Sequence, residues 1–190
     1  MELAIEEARK SSNEDDRVHP KVGIVIVKND EIVGLAHRGE TGPGDHAEFG
    51  ALEKKLKDFS LVGATVYTTL EPCTTRHSPK LPCADRLIDR RVKQVIIGML
   101  DPNPDICGRG QQCLREAGIA TSLFEEDLMA QVEEMNRDFK RAHRTNVGVS
   151  NLLPSCPDQL ALPSKFSRFA IRISPRPLDG LHWCGLHLFK

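Results

Sequence analysis

At 190 residues, with 26 lysines and arginines against 27 aspartates and glutamates, the chain can bury one ordinary core and has a net charge of −1. That balance argues against a generally basic nucleic-acid binder and against attraction to anionic membranes, and the longest apolar run, residues 22–27, is far too short to span a bilayer. Met1-Glu2-Leu3-Ala4-Ile5-Glu6-Glu7 has neither the basic nor the apolar part of an export signal, so six cysteines read as metal ligands or free thiols in a cytoplasmic protein.

In chain order, Leu3, Ile5 and Ala8 among charges predict a short helix over residues 3–11. The β-branched run 22–27 predicts a strand buried on both faces, and Lys28-Asn29-Asp30-Glu31 turns it back into a second strand over 32–36. After a Gly-rich loop, Asp45 is placed to cap a helix over 46–57, where Ala47, Ala51, Leu52 and Leu56 recur at helical spacing. Residues 64–70 predict a third strand, Pro82 opens a helix over 83–88, and 92–99 predict a fourth strand. A short helix over 110–117, a weaker strand over 119–124 and one long charged helix over 125–143 complete the pattern. The expected fold is α/β, a three-layer α/β/α sandwich around a mixed five-stranded sheet.

That domain is expected to end near residue 144. Across 145–190, Pro154, Pro157, Pro163, Pro175 and Pro177 break every period, and only Phe166, Phe169, Ile171 and Ile173 alternate weakly, as an edge strand would. The expectation is a poorly ordered tail. Residues 151–190 carry a charge of +3, which leaves −4 on residues 1–150. An acidic body is a poor surface for tracking phosphates.

The chemistry is concentrated in three short stretches, His46-Ala47-Glu48, Glu71-Pro72-Cys73 and Pro82-Cys83. A lone His-Ala-Glu means nothing, and two cysteines alone are usually buried small hydrophobes. Together they supply one imidazole and two thiolates, a set of three Zn²⁺ ligands that leaves a fourth tetrahedral position for water. Glu48, two residues from the histidine, is then free to move protons. The order H-x-E, P-C, C is that of zinc deaminases, in which water replaces an exocyclic amine and ammonia leaves. The candidate metal ligands are therefore His46, Cys73 and Cys83, and Glu48 is the candidate catalytic acid-base. Cys107 and Cys113 have no third or fourth metal-ligand residue nearby in the sequence and read as a loop residue and a helix core residue.

With these residues in place, the chain resembles the cytidine deaminase-like superfamily. Within it, the deaminase domain of bacterial riboflavin-biosynthesis enzymes, which act on a diaminopyrimidinone ribosyl phosphate, is most similar. The likeness runs over about residues 1–125 and adds Val22-Gly23, Thr69-Leu70, Ala84-Asp85, Asp101-Pro102-Asn103-Pro104, Gly108-Arg109-Gly110 and Glu116-Ala117-Gly118-Ile119. It implies a cytidine deaminase-like fold, assembly as a homo-oligomer, and a substrate pocket near Asp101 and Asn103. It also implies substrate contacts at His19, where that family has asparagine before the proline, and at Lys80 in the loop between the cysteines. That loop is one residue longer here, and the reductase domain that follows in those enzymes has no counterpart in the proline-broken tail. The expected function is zinc-dependent hydrolytic deamination of a small amino-heterocycle (pyrimidine, purine or pterin-like, free or as a nucleotide), with Arg76, His77 and Lys80 available for a phosphate. The alternatives are a polynucleotide base deaminase, for which the acidic body with Tyr67 alone in its sheet offers no aromatic groove, and a non-catalytic zinc module, against which an intact Glu48 argues.

Overall fold

A computed structural model describes residues 1–144 apart from Asn13 and Asp105; the tail expected over 145–190 lies outside the described residues. The elements in order are α1 (Glu2–Arg9), β1 (Gly23–Lys28), β2 (Glu31–His37), α2 (Ala47–Phe49), which runs on as a π-helix (Gly50–Lys55), β3 (Thr65–Leu70), α3 (Cys83–Asp89), β4 (Gln94–Met99), α4 (Arg109–Glu116), β5 (Ala120–Leu123), α5 (Glu126–Met135) and α6 (Arg137–Arg144). The five strands form one mixed sheet in the order β2-β1-β3-β4-β5. β1 is antiparallel to β2 and β3, whereas β3, β4 and β5 run parallel.

The sheet carries α1 and α5 on one face and α2, α3 and α4 on the other, the expected three layers. Ile24, Ile26, Val66, Val95 and Ile97 from the central strands are fully buried against Leu52, Leu87, Leu114 and Val132 from the helices. Each such side chain contributes about 1.5–3 kcal/mol of apolar burial. α1 sits so close to β1 that a Cβ at Gly23 would lie 2.1 Å from the Ala4 carbonyl oxygen, so only glycine fits where β1 begins. Asn29 and Asp30 both take positive φ, 52° and 63°, which gives the tight turn that right-twisted hairpin strands prefer.

The structure corrects three local expectations. The helix over 46–57 is α-helical only at Ala47–Phe49 and then widens to a π-helix, closed by Leu56 N–H on the Ala51 carbonyl. Burial at 47, 51, 52 and 56 suits this wider turn as well as an α-helix, so the apolar spacing could not separate them. Asp45 does not cap it; His46 occupies the N-cap position in extended backbone, and the Asp45 carboxylate accepts the Thr41 hydroxyl at 2.9 Å. The helix over 125–143 is two helices, α5 and α6, parted at Asn136.

At this break the Asn136 side chain bonds both inside α5, donating to the Val132 carbonyl at 3.2 Å, and outside it. The buried amide accepts Lys21 N–H at 2.7 Å and donates to the Lys21 carbonyl at 3.2 Å, standing in for a neighbouring strand just ahead of β1. Truncation leaves both backbone groups without that partner, and an unpaired buried polar group costs about 1–3 kcal/mol. Asn136→Ala is expected to lower the unfolding free energy by about 2–4 kcal/mol in urea titrations. Asn136→Asp, which replaces the donor with a second acceptor, is expected to lose at least as much.

Candidate active site

Strand direction gathers the site at one end of the sheet. Because β1 opposes both β2 and β3 while β3 and β4 run together, the start of β1 and the ends of β2, β3 and β4 share one edge. Crevices outside the carboxyl ends of parallel strands, where strand order reverses, are the usual ligand positions of α/β sheets. A cleft of about 200 Å³ lies here. Pro20 and Val22 enter it from before β1, Arg38 from after β2, Leu70 from β3, Asp101 from after β4 and Phe139 from α6. His46, Glu48, Glu71 and Cys73 line it as well. A shallower and larger groove of about 580 Å³ by Arg9, Lys21 and Glu134 is wide open and holds none of the groups the chemistry needs.

His46, Cys73 and Cys83 are brought together, their ligand atoms all within 4.8 Å of one another. His46 Nδ1 lies 3.3 Å from Cys83 Sγ and 3.7 Å from Cys73 Sγ. A tetrahedral zinc with Zn–S near ~2.3 Å and Zn–N near ~2.0 Å separates sulfur from nitrogen by about 3.5 Å, so these three side chains fit such an ion. Cys83 opens α3, and its backbone N–H donates to Cys73 Sγ at 3.4 Å. The Cys83 thiol, His46 and that N–H together hold the Cys73 thiol down at about 4, within the range of metal-binding thiolates. The shared hydrogen bond and complete burial push the Cys83 thiol up. Loading a divalent ion onto such a pair would therefore release a proton.

Glu48 is 3% exposed and its Oε2 accepts the Cys83 thiol at 3.3 Å. Burial raises its pKa, so this carboxyl holds a proton more readily than a surface glutamate. Asp101, also lining the cleft, is raised for the same reason, while its Oδ1 accepts Asn103 N–H at 2.9 Å.

The candidate substrate residues are spread unequally. Asp101 lines the cleft, whereas Asn103 sits in the turn beyond it and is not part of the wall. Lys80 is exposed, its Nζ beside Gly44, whose carbonyl accepts Arg76 Nη2 at 3.0 Å. His19 stands behind the wall, bonded on both ring nitrogens: Nε2 to Asp15 Oδ1 at 2.8 Å and Nδ1 to Arg38 Nη2 at 3.2 Å. Cys113 is half-buried on α4 and not a core residue.

Two wall residues go beyond the sequence reading. Arg38 is 8% exposed and pairs with Glu14, Nε to Oε1 and Nη2 to Oε2 both at 3.3 Å. The signal was available, because Arg38 follows buried Ala36 at period two and so points inward. Glu71, quoted only as a motif letter, is 4% exposed and accepts three backbone N–H groups: Asp101 at 3.0 Å, Gly108 at 2.9 Å and Gln111 at 3.1 Å. It thus fastens the loop carrying Asp101 and the start of α4 to the end of β3. Gly110 lets the helix come so close that a Cβ there would lie 2.1 Å from the Pro72 carbonyl oxygen.

Residues 1–99 match the family model for the cytidine and deoxycytidylate deaminase zinc-binding region. The chain belongs to this family. Among curated relatives, the riboflavin biosynthesis protein RibD of Escherichia coli is 42% identical over 127 residues, 67% of this chain but 33% of the relative. The diaminohydroxyphosphoribosylamino-pyrimidine deaminase of Buchnera aphidicola is 39% identical over 131 residues, 68% of this chain and 84% of the relative. Among solved structures, the diaminohydroxyphosphoribosylaminopyrimidine deaminase/5-amino-6-(5-phosphoribosylamino)uracil reductase of Thermotoga maritima superposes with a TM-score of 0.66 at 34% identity, covering 76% of this chain and 40% of that one. The chain thus spans about a third of the length of the E. coli relative and most of the Buchnera one. Within the cytidine deaminase-like superfamily it stands with the riboflavin-biosynthesis deaminases, with the expected fold and zinc as the family's metal. No helix among the described residues is long and apolar enough to cross a membrane.

The Glu71 anchor has a measurable weight. Glu71→Gln turns an NH₂ group toward N–H donors, and Glu71→Ala strands all three. Unfolding free energies are expected to fall in the order wild type, Gln, Ala, with the alanine variant down by about 3 kcal/mol or more. Proteolysis should then open the 101–111 loop first.

Proposed function

We propose that this chain is a zinc-dependent hydrolytic deaminase of an amino-pyrimidine carrying a phosphoribosylamino substituent, the compound class for which its Buchnera and Thermotoga relatives are named. The observation that carries it is a buried carboxyl, Glu48, 3.3 Å from one sulfur of a His/Cys/Cys triangle that opens on a cleft.

In this assignment His46, Cys73 and Cys83 hold the ion. Zinc, when bound, supplies Lewis acidity and brings water toward a pKa of roughly 7. Glu48 takes a proton from the attacking water as oxygen bonds to the ring carbon that bears the amine, and delivers it to the adjacent ring nitrogen. The remaining proton travels through the same carboxyl to the amine, the carbon–nitrogen bond breaks, and ammonia leaves an oxo group on the ring. Water is consumed and no redox partner is needed. The raised affinity of Glu48 for a proton suits a group that must both take and return one. Asp101 faces the ring from the cleft wall. Arg76 and Lys80, gathered over Gly44, suit the phosphate end, since guanidinium and ammonium groups are the usual phosphate partners. A cytoplasmic setting, where thiols stay reduced, keeps Cys73 and Cys83 able to ligate.

Ammonia release from the diaminohydroxyphosphoribosylaminopyrimidine, set against free bases, nucleosides and oligonucleotides, tests the substrate class. Preference for an oligonucleotide would overturn it. Glu48→Gln is expected to lower kcat by at least about 10²- to 10⁴-fold while metal analysis still finds zinc; retained turnover would defeat the proton-transfer role. Dialysis against a zinc chelator is expected to abolish turnover and added Zn²⁺ to restore it. His46→Ala and Cys83→Ser are expected to lower bound zinc from one equivalent toward none.

A further inference from the structure

We propose that Arg38 is the specificity-determining residue of the cleft, reading a neutral oxygen acceptor on the substrate ring, the hydroxy group of the pyrimidine in its oxo form. This assignment rests on the pyrimidine substrate proposed above.

His19 is not available for that task. An imidazole that accepts from Arg38 at Nδ1 carries its proton on Nε2, which is the end that meets Asp15. Both ring nitrogens are therefore spent within the protein. Their effect is to brace Arg38 from behind, together with Glu14, whose other carboxylate bond reaches Gly44 N–H. Asp15 is itself held by Arg17 through Nε at 3.0 Å and Nη2 at 2.6 Å, so the brace continues to the surface.

Arg38 thus stands in the cleft wall as a buried side chain, hydrogen-bonded through Nη2 and ion-paired with Glu14 through Nε, which makes no hydrogen bond. Its Nη1 makes no hydrogen bond among the described residues. A braced guanidinium with an uncommitted donor in a substrate cleft is prepared to bond an acceptor at little entropic cost.

The charge decides which acceptor. Glu14 already neutralises Arg38, and the carboxyl groups of Glu48, Glu71 and Asp101 line the same cleft. No surplus positive charge remains there for a phosphate dianion, whereas Arg76 and Lys80 gather outside it, over Gly44. A carbonyl oxygen needs a donor and no net charge, which is what this wall offers. A cleft of about 200 Å³ also has room for a single ring more readily than for a ring with its sugar phosphate.

The test compares three compounds: the phosphoribosylaminopyrimidine, its analogue with hydrogen in place of the ring hydroxy group, and its dephosphorylated form. The enzymes are wild type, Arg38→Lys, and Arg38→Met combined with Glu14→Gln, which removes the donor without leaving a buried carboxylate alone. Folding and zinc content are checked by thermal melts and metal analysis. For the parent compound the double variant is expected to lose about tenfold to a hundredfold in kcat/KM, mostly through KM. It is expected to treat the deoxy analogue within about threefold of wild type, and the dephosphorylated compound with the same loss as the parent. Arg38→Lys, unable to keep the fork, is expected to fall between. Equal losses on parent and deoxy analogue, or no loss on either, would overturn the assignment and leave the deaminase reading intact. A loss that disappears with the phosphate would overturn it in favour of phosphate contact. A zinc-loaded wild type that turns over none of the three would defeat the proposed substrate, and this assignment with it.

Discussion

A reversal of strand direction at the centre of the sheet is the constraint on which the site depends. β1 runs against β3 while β4 runs with it, so one edge collects the start of the first strand and the ends of three others. The connections leaving β3 and β4 must then cross over through helices, and α3 begins with Cys83 beside Cys73. The π-helical widening after Ala47–Phe49 lies directly behind the turn that carries His46 and Glu48, as such distortions often do near functional groups. Three ligand side chains separated by up to 37 residues meet because of backbone directions, with hydrogen bonds only trimming their positions.

Among the ionisable side chains buried at that edge, three are treated differently. Burying a charge without partners costs far more than the fold can spare. Glu71 is met by three backbone N–H groups, so it serves as a structural anchor. Arg38 is met by a carboxylate and an imidazole, which brace it in the cleft wall while its Nη1 makes no hydrogen bond among the described residues. Glu48 is met by a thiol and is otherwise desolvated, so its proton is the one most easily contested. Neighbours alone thus give three polar side chains in one small region three different states: a fully bonded carboxylate, a braced guanidinium and a desolvated carboxyl.

The fold was legible in the sequence wherever periodicity was strong. The β-branched run at 22–27 and the turn at 28–31 placed the first hairpin, and the order of His46, Glu48, Cys73 and Cys83 pointed to the deaminase family. What stayed hidden depended on partners distant in sequence. Apolar residues at 47, 51, 52 and 56 fit two kinds of helix, and only packing chose the wider one. Nothing within the charged stretch 125–143 signals that Asn136 turns away to bond Lys21, 115 residues earlier. His19 was expected at the substrate because the family it resembles has asparagine before that proline, whereas its ring nitrogens bond Asp15 and Arg38. Phe139 reaches the cleft only because α6 folds back over the start of β1, which no local pattern could announce.

The amide bridge from Asn136 to Lys21 ties the last described helix to the first strand. Phe139, three residues beyond the bridge and 8% exposed, closes part of the cleft wall from α6. The stretches that carry His46, Cys73 and Cys83 leave the ribosome before this segment does. The cleft wall is therefore completed by the part of the described chain that is synthesised last.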